Sequence, residues 1–310
     1  MTIAQPRIAI VIPCFNEATA IATVIADFRN ALPAAQIYVY DNNSSDSTAA
    51  IARDAGAEVR QERHQGKGHV VRRMFADVDA EIYLLVDGDA TYDAASAQRM
   101  IDMLVTDRLD MVVAHRIDQV DAAYRAGHRT GNWLLTSFLT TIFGRGFEDI
   151  LSGYRVFSRR FVKSFPVLSD GFEIETELSV HALELSMPVA ELKTPYFARP
   201  EGSFSKLNTW RDGFRILGTI LKLYRSEKPL RFFGSIAATL AAMAVILAIP
   251  IFITYAEEGV VPRLPTAVLA VGIMIVAVVS LFAGLILDTV TRGRRESRML
   301  HYLAQPWLSR

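Results

Sequence analysis

Asp87 and Asp89 stand one residue apart at the end of the apolar run Ile82-Tyr83-Leu84-Leu85-Val86, with only Gly88 between them. Two carboxylates this close repel each other unless a cation lies between them. A hard divalent ion, Mg2+ or Mn2+, takes such oxygens and keeps coordination sites for phosphate. The plainer alternative is an acidic turn after a strand, because Asp-Gly is a common turn signal. The segment Gln65-Gly66-Lys67-Gly68 offers a second piece of chemistry. Its glycines let backbone N–H groups approach a phosphate at a helix start, or simply make a turn. A third is basic: His115-Arg116, then Arg125, His128 and Arg129, follow the apolar run Met111–Ala114. Guanidinium groups past a strand end suit anionic substrates, and the alternative is a solvated basic loop.

The elements that must carry these residues follow from the apolar pattern. Ile8–Ile12 and Ile37–Tyr40 read as strands buried on both faces, and Glu58–Arg60 as a shorter one. Helices are expected over Ala18–Leu32, Thr48–Ala55 and His69–Val78, the second opened by the cap-rich segment Asp41-Asn42-Asn43-Ser44-Ser45-Asp46-Ser47-Thr48. Strand, polar loop and helix in repetition make a parallel sheet whose loops face a ligand, and Ile82–Val86 delivers its acids to that edge. Further on, the pattern predicts a helix over Asn132–Phe143, one through Met187 and a strand over Val189–Leu192. Glu173, Glu175 and Glu177 fall where that second helix opens, where the macrodipole favours carboxylates whether or not one meets a substrate.

The 33 Lys and Arg balance the 33 Asp and Glu, so no global basic field argues for nucleic acid. Cys14 is the single cysteine and rules out an intrachain disulfide; beside Pro13 it reads as a small buried apolar residue. The first residues hold no apolar core of a signal peptide, which is expected to keep the N-terminal part cytoplasmic. In Leu207–Arg225 an apolar stripe of Trp210, Phe214, Leu217, Leu221 and Tyr224 flanks a basic one of Arg211, Arg215, Lys222 and Arg225. That is the pattern of a helix lying in a membrane interface, or of a core helix. Phe232–Tyr255 and Thr266–Leu287 carry no charge and are long enough to span a bilayer, which favours the interfacial reading. Glu257, Glu258 and Arg263 lie in the connector, while Arg225, Lys228 and Arg231 precede the hairpin and Arg292, Arg294, Arg295 and Arg298 follow it, so both its ends are expected in the cytoplasm. Gly234, Ala238 and Ala242, and again Ser280 and Gly284, give small faces suited to close helix contact within a chain or between copies.

Four blocks, Ile-Pro-Cys-Phe-Asn-Glu (12–17), Tyr-Asp-Asn-Asn-Ser-Ser-Asp-Ser-Thr (40–48), Gly-Lys-Gly (66–68) and Asp-Gly-Asp (87–89), resemble those of family 2 glycosyltransferases. Their order and spacing are similar to the dolichyl-phosphate mannose synthase and bacterial polyprenyl-phosphate glycosyltransferase group, over about Ile8 to Leu207. The resemblance implies an α/β GT-A fold, Rossmann-like, with a mixed, mainly parallel sheet flanked by helices. An interfacial helix and a two-helix transmembrane hairpin would follow. It implies domains at 1–206 (catalytic), 207–231 (interface helix and linker), 232–290 (hairpin) and 291–310 (basic tail). Pro13, Phe15, Glu17, Asp41, Asn43, Lys67 and Gly88 would join Asp87 and Asp89 in holding a UDP- or GDP-linked sugar. Asp87 and Asp89 would hold Mg2+ or Mn2+. Arg116, Arg125, Arg129, Ser205 and Lys206 would meet a lipid phosphate, and Arg116, Arg129, Arg199 and Lys206 would act at the reacting phosphates. Arg199–Lys206 resembles the loop that closes over both substrates. Asn42 stands where the family usually has an acid, Asn43 where it has glycine, Thr91 where some relatives have a metal-binding glutamine, and Gly153 where some carry an acid.

These features together predict a multi-pass membrane enzyme with its catalytic domain on the cytoplasmic face, in bacteria the inner membrane. It would transfer one sugar, with inversion, from a nucleotide sugar to a polyprenyl phosphate. A processive polysaccharide synthase is the alternative within the same fold, but no tryptophan lies in a Gln-x-x-Arg-Trp segment. A membrane-anchored binding protein without activity is the alternative outside it, against which intact Asp87 and Asp89 argue.

Overall fold

A computed structural model describes residues 6–118, 147–169, 171, 173–200, 217, 218 and 221–307. The first compact unit comprises Met1–Leu217 with Arg298–Arg310, and the second Gly218–Ser297.

The first unit is built on a seven-stranded sheet: β1 (Ile8–Cys14), β2 (Gln36–Asp41), β3 (Glu58–Gln61), β4 (Ile82–Leu85), β5 (Met111–Asp118), β6 (Arg155–Ser158) and β7 (Val189–Tyr196), in the order β3-β2-β1-β4-β6-β5-β7. The strands β1 to β4 pair in parallel. Helices α1 (Ile21–Ala31), α2 (Thr48–Asp54) and α3 (Lys67–Asp77) follow the first three strands, and α4 (Ser96–Thr106) comes after β4. Each helix buries one apolar stripe, as with Ile21, Val24, Ile25 and Phe28 of α1. Beyond β4, β6 runs antiparallel between β4 and β5, and β5 and β7 are parallel to each other. The expected mixed, mainly parallel sheet is therefore present. Strand β6 and the short helix α5 (Arg159–Ser164) were not foreseen, and β5 and β7 each extend four residues beyond their apolar runs. Pairing over the whole register from Met111↔Val189 to Asp118↔Tyr196 supplies the reason, since ladder hydrogen bonds hold polar residues as well as apolar ones. Helix α6 (Ile174–Glu184) precedes β7.

In the second unit α7 (Pro229–Glu258) and α8 (Leu264–Ala304, whose last turns belong to the first unit) are each long and apolar enough to cross a membrane. Their apolar side chains point outward, as at Phe252, 71% exposed, and Ile286, 64% exposed, which no water-soluble core helix would tolerate. Helix α7 ends on Gly259 in the left-handed region. Gly284 marks the close approach of the two helices, since a Cβ there would come within 3.0 Å of the Phe233 Cβ. Thr291 and Arg294 donate to the Ser226 carbonyl, at 2.9 and 3.2 Å.

The segment Arg298–Trp307 packs on the first unit. Arg298 pairs with Glu184 at 2.6 Å. The Tyr302 hydroxyl donates to the Asp110 carboxylate at 2.6 Å beneath the Arg160 guanidinium, and Trp307 Nε1 donates to the Leu109 carbonyl at 3.0 Å. Asp110 is fully buried at the start of β5, where Arg160 and Ser158 also donate to it.

Candidate active site

At the C-terminal ends of β1, β2 and β4 lies a cavity of about 350 Å³. Loops from separate strands wall it and are stitched together. Asn16, in the left-handed region, donates its backbone N–H to the Ser44 hydroxyl at 2.9 Å and accepts from the Ser45 N–H at 2.8 Å. The Glu17 N–H donates to the Thr48 hydroxyl at 2.8 Å. These bonds hold Pro13, Phe15 and Glu17 on the cavity wall, beside Asn42, Gly66, Lys67, Asp87, Gly88 and Asp89.

The Asp87-Gly88-Asp89 turn is tight for a stated reason. A Cβ on Gly88 would lie 2.7 Å from the Cys14 sulfur, so the small buried Cys14 and the glycine fill one space between β1 and the turn. Lys67 Nζ donates to Asp87 Oδ1 and to Glu175 Oε1, both at 2.5 Å. Burial works against the Lys67 ammonium, but the Asp87 and Glu175 carboxylates outweigh it and raise its pKa, so it stays charged. Gly153 completes this corner, because a Cβ there would overlap Asp87 Oδ2 and approach Lys67 Nζ to 3.0 Å. Asp89 has a different setting. The Thr91 hydroxyl donates to its Oδ1 at 2.6 Å, and Arg199 pairs with Oδ2 at 2.6 Å. Two carboxylates facing one cavity supply the oxygen ligands that a hard divalent ion takes, with Lys67 and Arg199 balancing their charge in its place.

Arg116 also lines the cavity. Asp149 grips it bidentately, from Nε at 2.7 Å and Nη2 at 2.8 Å, and its guanidinium lies over the Tyr196 ring at 5.4 Å. Asp149 is itself held, since Glu191 accepts from the backbone N–H groups of Glu148 and Asp149 at 2.8 and 3.0 Å. His115, Glu148 and Glu191 cluster with ligand atoms within 4.8 Å of one another, and these hydrogen bonds give Glu191 a structural task.

Of the residues expected from sequence, Pro13, Phe15, Glu17, Lys67, Asp87, Gly88, Asp89, Arg116 and Arg199 line one cavity. Asp41, expected in the nucleotide pocket, is buried and not among the residues that line the cavity; one oxygen accepts from the Ser44 N–H at 3.3 Å and the other, Oδ1, has no hydrogen-bond partner among the described residues. Asn43 turns its amide outward to the Arg63 carbonyl at 2.6 Å, in the left-handed conformation that glycine would adopt without strain. Arg125, His128, Arg129, Ser205, Lys206 and the expected helix over 132–143 lie outside the described residues.

Asn42, Tyr92, Glu175 and Tyr196 also line the cavity; Asn42 stood out in the sequence only as a missing acid and Glu175 only as the second glutamate of the 173–177 run, while the two tyrosines gave no signal. Asn42 explains its departure from the family pattern. Its amide donates to the Glu62 and His64 carbonyls at 2.9 and 2.8 Å and accepts from the Gly66 N–H at 2.7 Å. A carboxylate there would set its oxygens against two carbonyls, whereas the amide fixes the turn that presents Lys67. Tyr92 accepts from the Gly153 N–H at 2.9 Å and stacks edge-on against Tyr196; burial pushes its hydroxyl pKa up, so it stays protonated. Arg155 is fully buried and donates to the Ile150 and Ser152 carbonyls and the Ser179 hydroxyl, at 2.7, 2.9 and 3.0 Å. Burial pulls its pKa down to about 10, and it serves the backbone behind the cavity.

Residues 9–165 match the family model of Glycosyl transferase family 2. The chain is 35% identical over 294 residues to glycosyltransferase AglJ of Haloferax volcanii, covering 93% of this chain and 95% of that one. It is 26% identical over 221 residues to the dolichyl-phosphate hexose transferase of the same organism, covering 71% and 95%. In fold it resembles glucosyl-3-phosphoglycerate synthase from Mycobacterium tuberculosis, solved with Mn2+, UDP and glucosyl-3-phosphoglycerate. That match has a TM-score of 0.58 and 21% identity, and covers 71% of this chain and 80% of that one.

Proposed function

The chain belongs to glycosyl transferase family 2, a membrane-linked glycosyltransferase with a GT-A-like sheet, and from that premise we propose that it moves one hexose from a nucleotide sugar to a polyprenyl phosphate. The observation that carries this reading is the meeting, in one cavity at the sheet edge, of Asp87 and Asp89 with Lys67, Arg116 and Arg199. Two anions, a diphosphate and a phosphate, must approach within reacting distance in this reaction, and converging cations offset their repulsion. The relative named as a dolichyl-phosphate hexose transferase supports a lipid phosphate as acceptor, and two outward-apolar helices support a bilayer as its source.

Each residue then has a task. Pro13, Phe15 and Glu17 line the nucleotide end of the cavity, and the unpaired Asp41 oxygen suits an N–H donor of a nucleobase. Asp87 and Asp89 would hold Mg2+ or Mn2+, which when bound neutralises charge on the leaving diphosphate. Arg116, already oriented by Asp149, and Arg199 face the phosphates, with Arg125, Arg129, Ser205 and Lys206 assigned there from the sequence. The acceptor is a phosphate monoester, ionised near neutral pH, so its oxygen attacks the anomeric carbon without a general base. Gly153 is consistent with that economy, because the corner where a side chain would sit is filled by Asp87 and Lys67. Attack opposite the leaving group inverts the anomeric centre. The catalytic domain, residues 1–206, would lie on the cytoplasmic face with the hairpin at 232–290 in the membrane.

Membranes containing the protein, incubated with UDP- and GDP-sugars and undecaprenyl phosphate, should yield a lipid bearing one phosphate and one hexose by mass spectrometry. A polymer instead of that glycolipid would point to a processive synthase, and no product from any donor would count against both.

A further inference from the structure

Among the described residues, each of the two paired acids already holds a cation of the chain, and the two cations are held differently. Arg199 makes its ion pair with Asp89 from the segment that follows β7. Lys67 belongs to the wall itself, on the first turn of α3, with its side chain 8% exposed and gripped by two carboxylates at once. Gly153 packs against its ammonium, where a Cβ would come within 3.0 Å, and Lys67 lines the cavity together with Gly66, Gln65 and Glu175.

We propose that Lys67 is a resident stand-in for the metal: it occupies Asp87 until a nucleoside diphosphate draws it away, so that divalent metal and donor enter together and neither binds well alone. This deepens the proposed function and rests on the assignment of metal to Asp87 and Asp89. The argument is Coulombic. A divalent ion on Asp87 would lie beside the ammonium that now holds Oδ1, in a half-buried corner where screening is weak. Two cations on one carboxylate repel, so metal alone must work against Lys67. A diphosphate in the cavity offers the ammonium a new partner and releases Asp87, while Glu175 keeps the lysine charged and close through the exchange. By linkage, whatever the diphosphate gains for the metal, the metal gains for the diphosphate. An acidic pair without such a lysine would bind metal in the resting enzyme.

The test is Mn2+ titration of the full chain in detergent micelles, followed by the electron paramagnetic resonance signal of free Mn2+, with and without UDP. In the natural protein UDP should tighten Mn2+ binding on the order of tenfold or more, one pKa-unit equivalent of coupling. Lys67→Met should bind Mn2+ alone about tenfold more tightly and UDP more weakly, and the coupling should shrink. Lys67→Gln, which can still donate to both carboxylates and so preserves the corner, should change both affinities in the same directions. Shrinkage of the coupling between the two ligands is what a bystander lysine would not produce, since deleting any nearby positive charge favours the cation and disfavours the anion. If both variants bind Mn2+ alone no more tightly than the natural protein, the stand-in role is wrong. If Asp89→Asn keeps the natural Mn2+ affinity, or Mn2+ fails to bind even with UDP, the metal assignment itself fails and the exchange falls with it.

Discussion

Around the cavity the charged side chains meet one another across open space, whereas behind it, around β5 and β6, several of them hold backbone. Lys67, Asp87 and Glu175 form the first kind of cluster, with Asp89 and Arg199 beside them. Arg155, Glu191 and Asp149 form the second: one arginine ties down residues 150 and 152, one glutamate ties down 148 and 149, and the aspartate they position aims Arg116. An acid or an arginine in this fold thus has two uses. The partner decides which, because an ion pair open to a cavity can be exchanged for a ligand, while a guanidinium sunk among carbonyls cannot be withdrawn without leaving them unpaired.

The contrast is broken most sharply at Asp89. Asp89→Asn should lower glycolipid formation on the order of a thousandfold, about 4 kcal/mol at the transition state, while the melting temperature in detergent moves little. An unchanged rate would put Asp89 among the scaffold residues. Arg155→Met is the converse. It leaves two buried carbonyls and a hydroxyl without their donor and should cost about 3 kcal/mol, lowering Tm by roughly 10 °C. A folded, equally stable variant that has lost activity would move Arg155 to the chemical side.

The smallest effect comes from His181 on α6. It is buried against Phe161 and Phe165, and burial, with Arg298 nearby, pulls its pKa down to about 3. The unfolded chain takes up a proton near pH 6.5 and the folded one does not, so stability is full above that pH and falls as the pH drops through it. Between pH 7 and 5.5 the loss should be about 1 kcal/mol. Thermal melts of the natural protein and His181→Gln across that range should converge toward acid, and parallel curves would show that the histidine is not buried neutral.

The cavity side was largely legible because its signals are local. Asp87-Gly88-Asp89 and Gly66-Lys67-Gly68 each concentrate a task in three consecutive residues at the end of a strand or start of a helix, where chain direction alone decides which way they face. The scaffold side was less so. Arg155 opens β6, a strand of four residues whose central position in the sheet no periodicity announces, and its complete burial depends on acceptors from three other positions. Glu175 had the right type but an ambiguous place, since a helix's first turn favours carboxylates for reasons of its own. Asn42 read as a lost acid until the two carbonyls facing it were visible.

The docking of Arg298–Trp307 has a consequence for how the first unit is completed. The first unit is discontinuous, and Arg298–Trp307 join it only through the last turns of α8, beyond its long apolar stretch. Tyr302 supplies a hydroxyl to Asp110, and Trp307 the donor for the Leu109 carbonyl. A variant lacking Arg298–Trp307 would keep every described residue of the cavity and yet have an unfinished edge where β5 begins. The sheet edge is thereby tied to the helix that follows the hairpin connector: without that segment Asp110 keeps Ser158 and Arg160 but loses the Tyr302 hydroxyl, and the Leu109 carbonyl loses Trp307.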